Sequence, residues 1–258
     1  MKHFISRIRS NTIICERIYE MAFSWNDDAP SPLPGQFCTI RVSKSTAPLL
    51  RRPFAFSTFD PVEKTASIVF KKIGASTEIL AGKKCGDALD VIGPLGNSFT
   101  GSGQTGKNIL VAGGTGFGPV FFWNRFLQQK KMSAVMVLGS ASKTGIPVFK
   151  GDEDETIILC TEDGSRGFRG TVVDYLRTLS EHEFRETTLY CCGPWGMLKA
   201  CNDLALEHGI ACFVSMEQIM ACGVGACMGC AVRVSGDLSF ARVCSEGPIF
   251  NSRTIAWT

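Results

Sequence analysis

No run of residues in this sequence is long and apolar enough to span a bilayer. The stretch after Met1, with Lys2, His3, Ser6 and Arg7, turns polar before the apolar region of a secretory leader could develop. Charge of one sign is also scarce. Lys and Arg number 27 against 24 Asp and Glu, a net charge of +3, too weak to point to nucleic acid or an anionic membrane as a partner. There is no internal repeat and no low-complexity tract, which excludes repeat architectures. The expectation is a cytoplasmic protein with no nucleic-acid or membrane partner.

What is present is an ordinary globular composition, 45% apolar and 20% charged over 258 residues, enough for about two domains and a small appendage. Cysteine is the exception, with 12 residues. A chain of this length needs no disulfides to make up for a small core, and without a secretion signal they would be reduced. Eight are scattered between Cys15 and Cys212 and suit small semi-apolar positions. The other four, Cys222, Cys227, Cys230 and Cys244, crowd into the C-terminal region, and that asymmetry points to a bound metal centre.

Texture divides the chain in three. Up to about Phe99, short strand-like segments (residues 37–42 and 66–71) alternate with turn formers at 30–35, 60–61 and 93–97, the pattern of a small antiparallel barrel. A Gly/Ser/Thr/Gln stretch at 100–107 marks a boundary. Beyond it, apolar runs at 109–112, 135–138, 156–159 and 189–192 alternate with helix-like segments at 118–131, 171–183 and 195–208, which predicts a parallel α/β domain. From about Ala211 the tail is compact and rich in Cys and Gly. The expected domains are therefore 1–100, 101–210 and 211–258.

The four clustered cysteines follow C-x4-C-x2-C with a later fourth, the spacing of plant-type [2Fe-2S] ferredoxins. A tight loop must turn three thiolates inward, and Gly223, Gly225 and Gly229 permit that turn. Structural zinc more often uses paired C-x2-C knuckles. In the middle region an apolar run enters Gly113, Gly114, Thr115 and Gly116, followed by Phe117, Gly118 and Pro119. A strand, a glycine turn and a helix start place backbone N–H groups where a pyrophosphate can lie. Pro119 breaks a strict G-x-G-x-x-G but suits a first helical turn. Cys192, Gly193, Pro194 and Met197 come at the end of a later strand on the same edge, as a second ligand-facing turn or an ordinary one. In the first region Arg51 and Arg52 precede Pro53, Phe54 and Ala55, a cation with an aromatic that suits a flavin or simply an exposed basic pair. Lys71, Gly74, Ser76 and Thr77 end a strand and open a helix able to hold phosphate.

In this order the motifs resemble the electron-transfer subunits of dihydroorotate dehydrogenase B, within the ferredoxin reductase superfamily. Residues 52–55, 92–97, 113–119, 161–165 and 192–197 carry the resemblance, together with Ser215, Met216, Glu217, Met220 and Cys222 and the run from Val243 to Phe250. It covers essentially the whole chain. The resemblance implies an antiparallel β-barrel FAD domain, an α/β parallel-sheet nucleotide domain and a small C-terminal [2Fe-2S] domain. By position, Arg52, Pro53, Phe54, Ala55, Val69, Phe70, Lys71, Ser76 and Thr77 would line FAD. Gly114, Thr115, Gly116, Cys192, Gly193, Pro194 and Met197 would serve NAD, and Cys222, Cys227, Cys230 and Cys244 would ligate iron. The family usually has Ser or Thr where Ala55 stands, which passes one flavin hydrogen bond to backbone or to Ser57. The implied partner is an FMN-containing catalytic subunit that oxidises dihydroorotate, in a heterotetramer. This chain shows no (β/α)8 pattern and no recognisable organic-substrate site; no catalytic residue is assigned. The competing readings are the small subunit of a ferredoxin:NADP or sulfide oxidoreductase, which usually has Asp where Cys222 stands, and a stand-alone NAD(P)H-dependent reductase. A structural or redox-sensing module is the non-enzyme alternative. Residues 139–143 leave NAD against NADP open.

Overall fold

The computed structural model describes residues 1–101, 106–147, 157–236 and 239–257. Thr156, the expected start of one strand, and residues 102–105 of the expected boundary at 100–107 lie outside the described residues.

The first region closes into an antiparallel barrel of six strands: β1 (Lys2–Cys15), β2 (Ile18–Ser24), β3 (Phe37–Arg41), β4 (Arg52–Asp60), β5 (Thr65–Lys71) and β6 (Ala88–Leu95). They close in the order β1-β2-β5-β4-β3-β6. Period-two burial builds it. In β1, Phe4, Ser6 and Ile8 point inward between exposed neighbours, and inward side chains such as Phe23, Phe56 and Ile68 fill the centre. Helix α1 (Ala75–Gly82) follows β5.

The second region is a seven-stranded sheet. Strands β7 (Lys107–Gly113), β8 (Ala134–Ser140), β9 (Ile157–Thr161), β10 (Phe168–Arg169), β11 (Thr187–Cys192) and β12 (Ala211–Ser215) are joined by parallel pairings. The order is β10-β9-β8-β7-β11-β12, and the edge is closed by a late antiparallel strand, residues Ile249–Asn251. Winding reverses between β7 and β11, so the crevice at their C-terminal ends is the switch point where such sheets bind ligands. Helix α2 (Phe117–Gln129) packs Val120 and Trp123 on the sheet and Phe122 into the barrel core. The expected helix over 171–183 is instead two short ones, α3 (Val172–Leu176) and α4 (Glu181–Phe184). A second start signal interrupts it: Thr171 N–H donates to Asp174 at 2.8 Å, and Ser180 N–H donates to Glu183 at 2.8 Å. Helix α5 (Trp195–Glu207) returns the chain to β12.

Residue 211, the expected start of the last domain, is the first residue of β12, so strands on both sides of the cysteine segment belong to the sheet. Between them lies a compact excursion with a small antiparallel pair, β13 (Ala231–Arg233) and β14 (Phe240–Arg242), before the edge strand β15 (Ile249–Asn251). One hydrophobic cluster runs from Phe37 and Leu95 of the barrel through Leu189 and Val214 of the sheet to Val232 and Val243 of the excursion.

The Asn97 side chain ties barrel to excursion by hydrogen bonds. Asn97, two residues after β6, donates from Nδ2 to the carbonyls of Glu246 (3.0 Å) and Ile249 (2.8 Å) and accepts from Ile249 N–H (2.9 Å). Its own backbone N–H donates to the Gly247 carbonyl at 2.7 Å. Beside it, Gly96 has φ +74, and a Cβ there would lie 2.5 Å from Pro248 Cδ, so only glycine allows the approach. Asn97→Ala removes three side-chain hydrogen bonds, each worth about 1 kcal/mol net. We expect roughly 2–3 kcal/mol of destabilisation in equilibrium unfolding, with faster amide exchange over residues 246–249 than in the barrel strands.

Candidate flavin, nucleotide and iron-sulfur sites

Strands β4 and β5 part where the first site lies. Their ladder begins only at Phe56 and Ile68. Beyond that point residues 52–55 pair by their other edge with β3, and residues 69–71 pair by their other edge with β2. The facing edges flank a cavity of about 260 Å³. Its barrel wall is Pro53, Phe54 and Ala55 on β4, Val69, Phe70 and Lys71 on β5, with Phe37, Ile73 and Thr77. Its second wall comes from the sheet: Thr115 and Pro119 at the head of α2, and Cys192 at the end of β11. The third is the segment leaving β12, from Ser215 to Gln218, with Met220 and Pro248. Three parts of the chain therefore meet at one cavity.

A planar ring system fits between two splayed strands, because their edges supply backbone donors and acceptors without needing a side chain. This bears on Ala55. Ser57 is buried and its hydroxyl pairs with Ser67 Oγ at 2.7 Å. It does not line the cavity, which leaves the strand edges as the substitute for the missing hydroxyl. At the head of α1, Thr77 Oγ1 accepts from the N–H groups of Ile73 (3.0 Å) and Gly74 (3.1 Å) and shapes the turn. Arg52 begins β4, outside the cavity lining, and its Nη1 donates to the Leu50 carbonyl at 3.1 Å. Ser76 is buried within α1.

The glycine turn divides its labour. Gly114 is exposed at φ +56 with open space around it. Gly116 is buried, and a Cβ there would run into the Cys192 carbonyl. The Gly116 position thus brings the head of α2 against the end of β11. Met197 locks the same two turns from α5: its sulfur lies 2.9 Å from where a Gly113 Cβ would be, and its methyl 2.6 Å from that of Gly193. Pro194 is the exposed N-cap of α5. Of this group Thr115 and Cys192 reach the cavity; Gly114, Gly116, Gly193, Pro194 and Met197 frame it without lining it.

Glu217 received no role from the sequence beyond its place in the resemblance. It reaches solvent through the cavity mouth, yet protein surrounds it closely enough that desolvation raises its pKa above the ordinary glutamate range. Burial also raises the Cys192 thiol, and the Glu217 charge adds to that rise. A lone acid two residues after an apolar strand carries no pattern that distinguishes it from a surface residue.

The four clustered cysteines come together. Cys222 and Cys227 lie within hydrogen-bond reach of each other, as do Cys230 and Cys244. Among the described residues no group of three or more His, Cys, Asp or Glu side chains is gathered for a single ion. Two thiol pairs suit a two-iron centre rather than a lone tetrahedral zinc. Backbone N–H groups surround the sulfurs: Val224 (3.4 Å) and Ala226 (3.3 Å) donate to Cys222 Sγ, Gly225 to Cys244 Sγ (3.1 Å), and Cys244 to Cys230 Sγ (3.4 Å). The Val224 N–H is the main cause that lowers the Cys222 thiol to about 6, so it is a ready thiolate ligand. Gly223 and Gly225 take φ +70 and +82, and a Cβ on Gly223 would lie 2.8 Å from Thr39 Cγ2 of the barrel. The loop thus rests directly on the flavin-side domain. Cys227 is exposed, whereas Cys230 and Cys244 are buried.

Comparison with known proteins agrees with this geometry. Residues 217–256 match the model of the iron-sulfur cluster binding domain of dihydroorotate dehydrogenase B. The electron transfer subunit of dihydroorotate dehydrogenase B (NAD(+)) from Desulforamulus reducens is 35% identical over 262 residues, covering 99% of each chain. Its counterpart from Geobacillus thermodenitrificans is 36% identical over 250 residues, covering 94% of each. Among solved structures, an NADH-dependent reduced ferredoxin-NADP oxidoreductase matches with TM-score 0.84 and 29% identity, over 98% of this chain and 90% of that one. A ferredoxin NADP+ reductase from Neisseria gonorrhoeae with bound FAD and NADP shares the fold at TM-score 0.64 and 13% identity, over 81% and 92% of the two chains. With a three-way cavity, two thiol pairs and a third of its residues shared with these relatives from end to end, the chain belongs to the family of dihydroorotate dehydrogenase B electron transfer subunits.

Proposed function

We propose that this chain passes electrons between NAD and an FMN-containing dihydroorotate dehydrogenase catalytic subunit, through FAD and a [2Fe-2S] cluster, in the cytoplasm. The observation that carries the reading is the cavity where barrel, sheet and the segment leading into the cysteine loop meet, because one ring placed there borders a nucleotide edge and the stretch of chain that runs directly into the metal loop. Bound FAD would exchange two electrons with nicotinamide and one at a time with the iron-sulfur centre, which is why such a relay needs a flavin between them.

The protein's own residues position and enclose these groups. Backbone of 52–55 and 69–71 would hold the flavin ring, and Arg52 with the head of α1 would hold its phosphates. Gly114, Thr115 and Gly116 would present N–H groups and the positive end of α2 to the nicotinamide nucleotide's pyrophosphate. Cys192, Met216 and Met220 line the same cavity and would exclude water from it. Glu217 keeps a proton-accepting group at the mouth, where its raised pKa allows it to hold a proton more readily than a surface glutamate. Cys222 with Cys227 and Cys230 with Cys244 would each hold one iron. The exposed apolar side chains of Ile219, Val224 and Met228 lie on or beside the cysteine loop, and we assign that face to the catalytic subunit. We keep the functional division at 1–100, 101–210 and 211–258, the last segment giving β12 and β15 to the sheet.

The isolated chain should reduce artificial acceptors with NADH, yet neither oxidise dihydroorotate nor bind orotate. Mixing it with the FMN subunit from the same cell should yield dihydroorotate-dependent NAD+ reduction. No association, together with efficient transfer to a ferredoxin, would reject the pyrimidine partner. Cys227→Ser should abolish bound iron and sulfide while FAD content stays at one per chain, measured by metal analysis and visible spectra. Zinc in the wild-type protein would contradict the metal assignment. Glu217→Gln gives a pH signature. Because the folded pKa is raised, the native state holds the proton more tightly, and the wild type loses stability as pH climbs from the unfolded value to the folded one. The variant should therefore melt higher than the wild type at neutral pH, and the two should converge below about pH 4, where both side chains are neutral.

A further inference from the structure

Arg242 is the last residue of β14 and lies two positions before Cys244. Its guanidinium grips Glu246 with Nε at 3.2 Å and 3.0 Å from the two carboxylate oxygens, and Nη2 closes the fork. The Arg242 backbone N–H donates to the same carboxylate at 2.6 Å. This leaves Nη1 aimed across the loop, where it donates to the Gly225 carbonyl at 2.5 Å. The N–H of Gly225 in turn donates to Cys244 Sγ at 3.1 Å. Gly225 therefore has its carbonyl fixed by Arg242 and its N–H directed at a cluster sulfur. Its φ of +82 is one of several orientations open to a glycine without strain, so the Arg242 contact is what selects it.

We propose that Arg242, anchored by Glu246, is a positioning residue that sets the reduction potential of the iron-sulfur centre, by holding the Gly225 N–H on Cys244 Sγ and keeping a cation beside the thiolates. The inference rests on the iron-sulfur reading above and goes beyond it. Two effects act in one direction. A hydrogen bond to a ligand sulfur stabilises the more negative, reduced centre, and so does a nearby guanidinium. Removing Arg242 also leaves the Glu246 carboxylate unopposed, which disfavours the added electron further. A turn-stapling role exists alongside this, since the Arg242 carbonyl accepts from Ser245, Glu246 and Gly247, but those are backbone bonds that a side-chain change leaves in place. The fork geometry matters because lysine can keep the charge and cannot grip a carboxylate and a carbonyl in the same plane.

The test is an EPR-monitored redox titration of the holo chain as wild type, Arg242→Ala and Arg242→Lys, with iron, sulfide and FAD content measured in each. The Ala variant should take a more negative midpoint, by roughly tenfold in the electron-sharing equilibrium, or about 59 mV for one electron. The Lys variant should fall between it and the wild type. The flavin midpoint, measured in the same samples, should stay where it is. An Ala variant with full iron and the wild-type midpoint would overturn the proposal, and so would a Lys variant that matches the wild type, since the fork would then contribute nothing. If the Ala chain does not retain iron, the Lys comparison decides alone. A wild-type chain without iron or an EPR signal would instead defeat the iron-sulfur reading, an outcome distinct from either result.

Discussion

The Asn97 amide is the contact on which the arrangement depends. A centre that exchanges single electrons with a flavin must be held at a fixed short separation from it, and the chain has to do this between segments about 150 residues apart in sequence. Asn97 does so by satisfying three backbone groups of the 246–249 segment from the end of a barrel strand. The neighbouring Gly96 lets Pro248 approach, and Gly223 lets the cysteine loop lie on Thr39. The same 246–249 segment leads into β15, the edge strand of the parallel sheet. One short stretch of chain thus touches barrel, sheet and metal loop, and a shift of any part moves all three.

The cavity repeats this logic at the second junction. Gly116 has no side chain because the head of α2 abuts the carbonyl of Cys192, and Gly118 brings the same helix within contact of Ser57 and Val69 on the barrel. Backbone packing, rather than a phosphate, accounts for the glycine at 116, while Gly114 is the turn's exposed member. Domain contacts made through glycine are short and stiff, and they fix the nucleotide edge against the flavin wall without side chains that would have to order.

Much of this was legible in the residues. Alternation of short strands with turns gave the barrel, buried apolar runs followed by helices gave the parallel sheet, and the C-x4-C-x2-C spacing gave the metal loop. Strand β1 is hard to read because charged and polar side chains at His3, Arg7 and Arg9 occupy its solvent face and dilute the β-branched pattern. The split of 171–183 into α3 and α4 was present as Ser180 and Glu183, a capping signal inside an otherwise helical period. Strand β12 begins where the texture turns rich in Cys and Gly, and its membership of the sheet depends on pairing with β11, a contact no local pattern reveals. Glu217 was invisible for a similar reason: desolvation raises its pKa, and the cavity it lines is walled in part by β4, β5 and β11, which no local pattern places beside it. Ser57, the sequence's alternative to the missing hydroxyl at Ala55, is taken by Ser67 on the paired strand.

The central claim is that flavin pocket and iron-sulfur loop form one relay inside a single chain. Anaerobic rapid mixing of the holo chain with NADH, followed by flavin absorbance and freeze-quench EPR of the cluster, tests it directly. The account predicts that flavin bleaching comes first and the cluster signal second, with the second step independent of protein concentration because it is intramolecular. A cluster that stays oxidised beside a reduced flavin, or one whose rate of reduction rises in proportion to protein concentration, would contradict it.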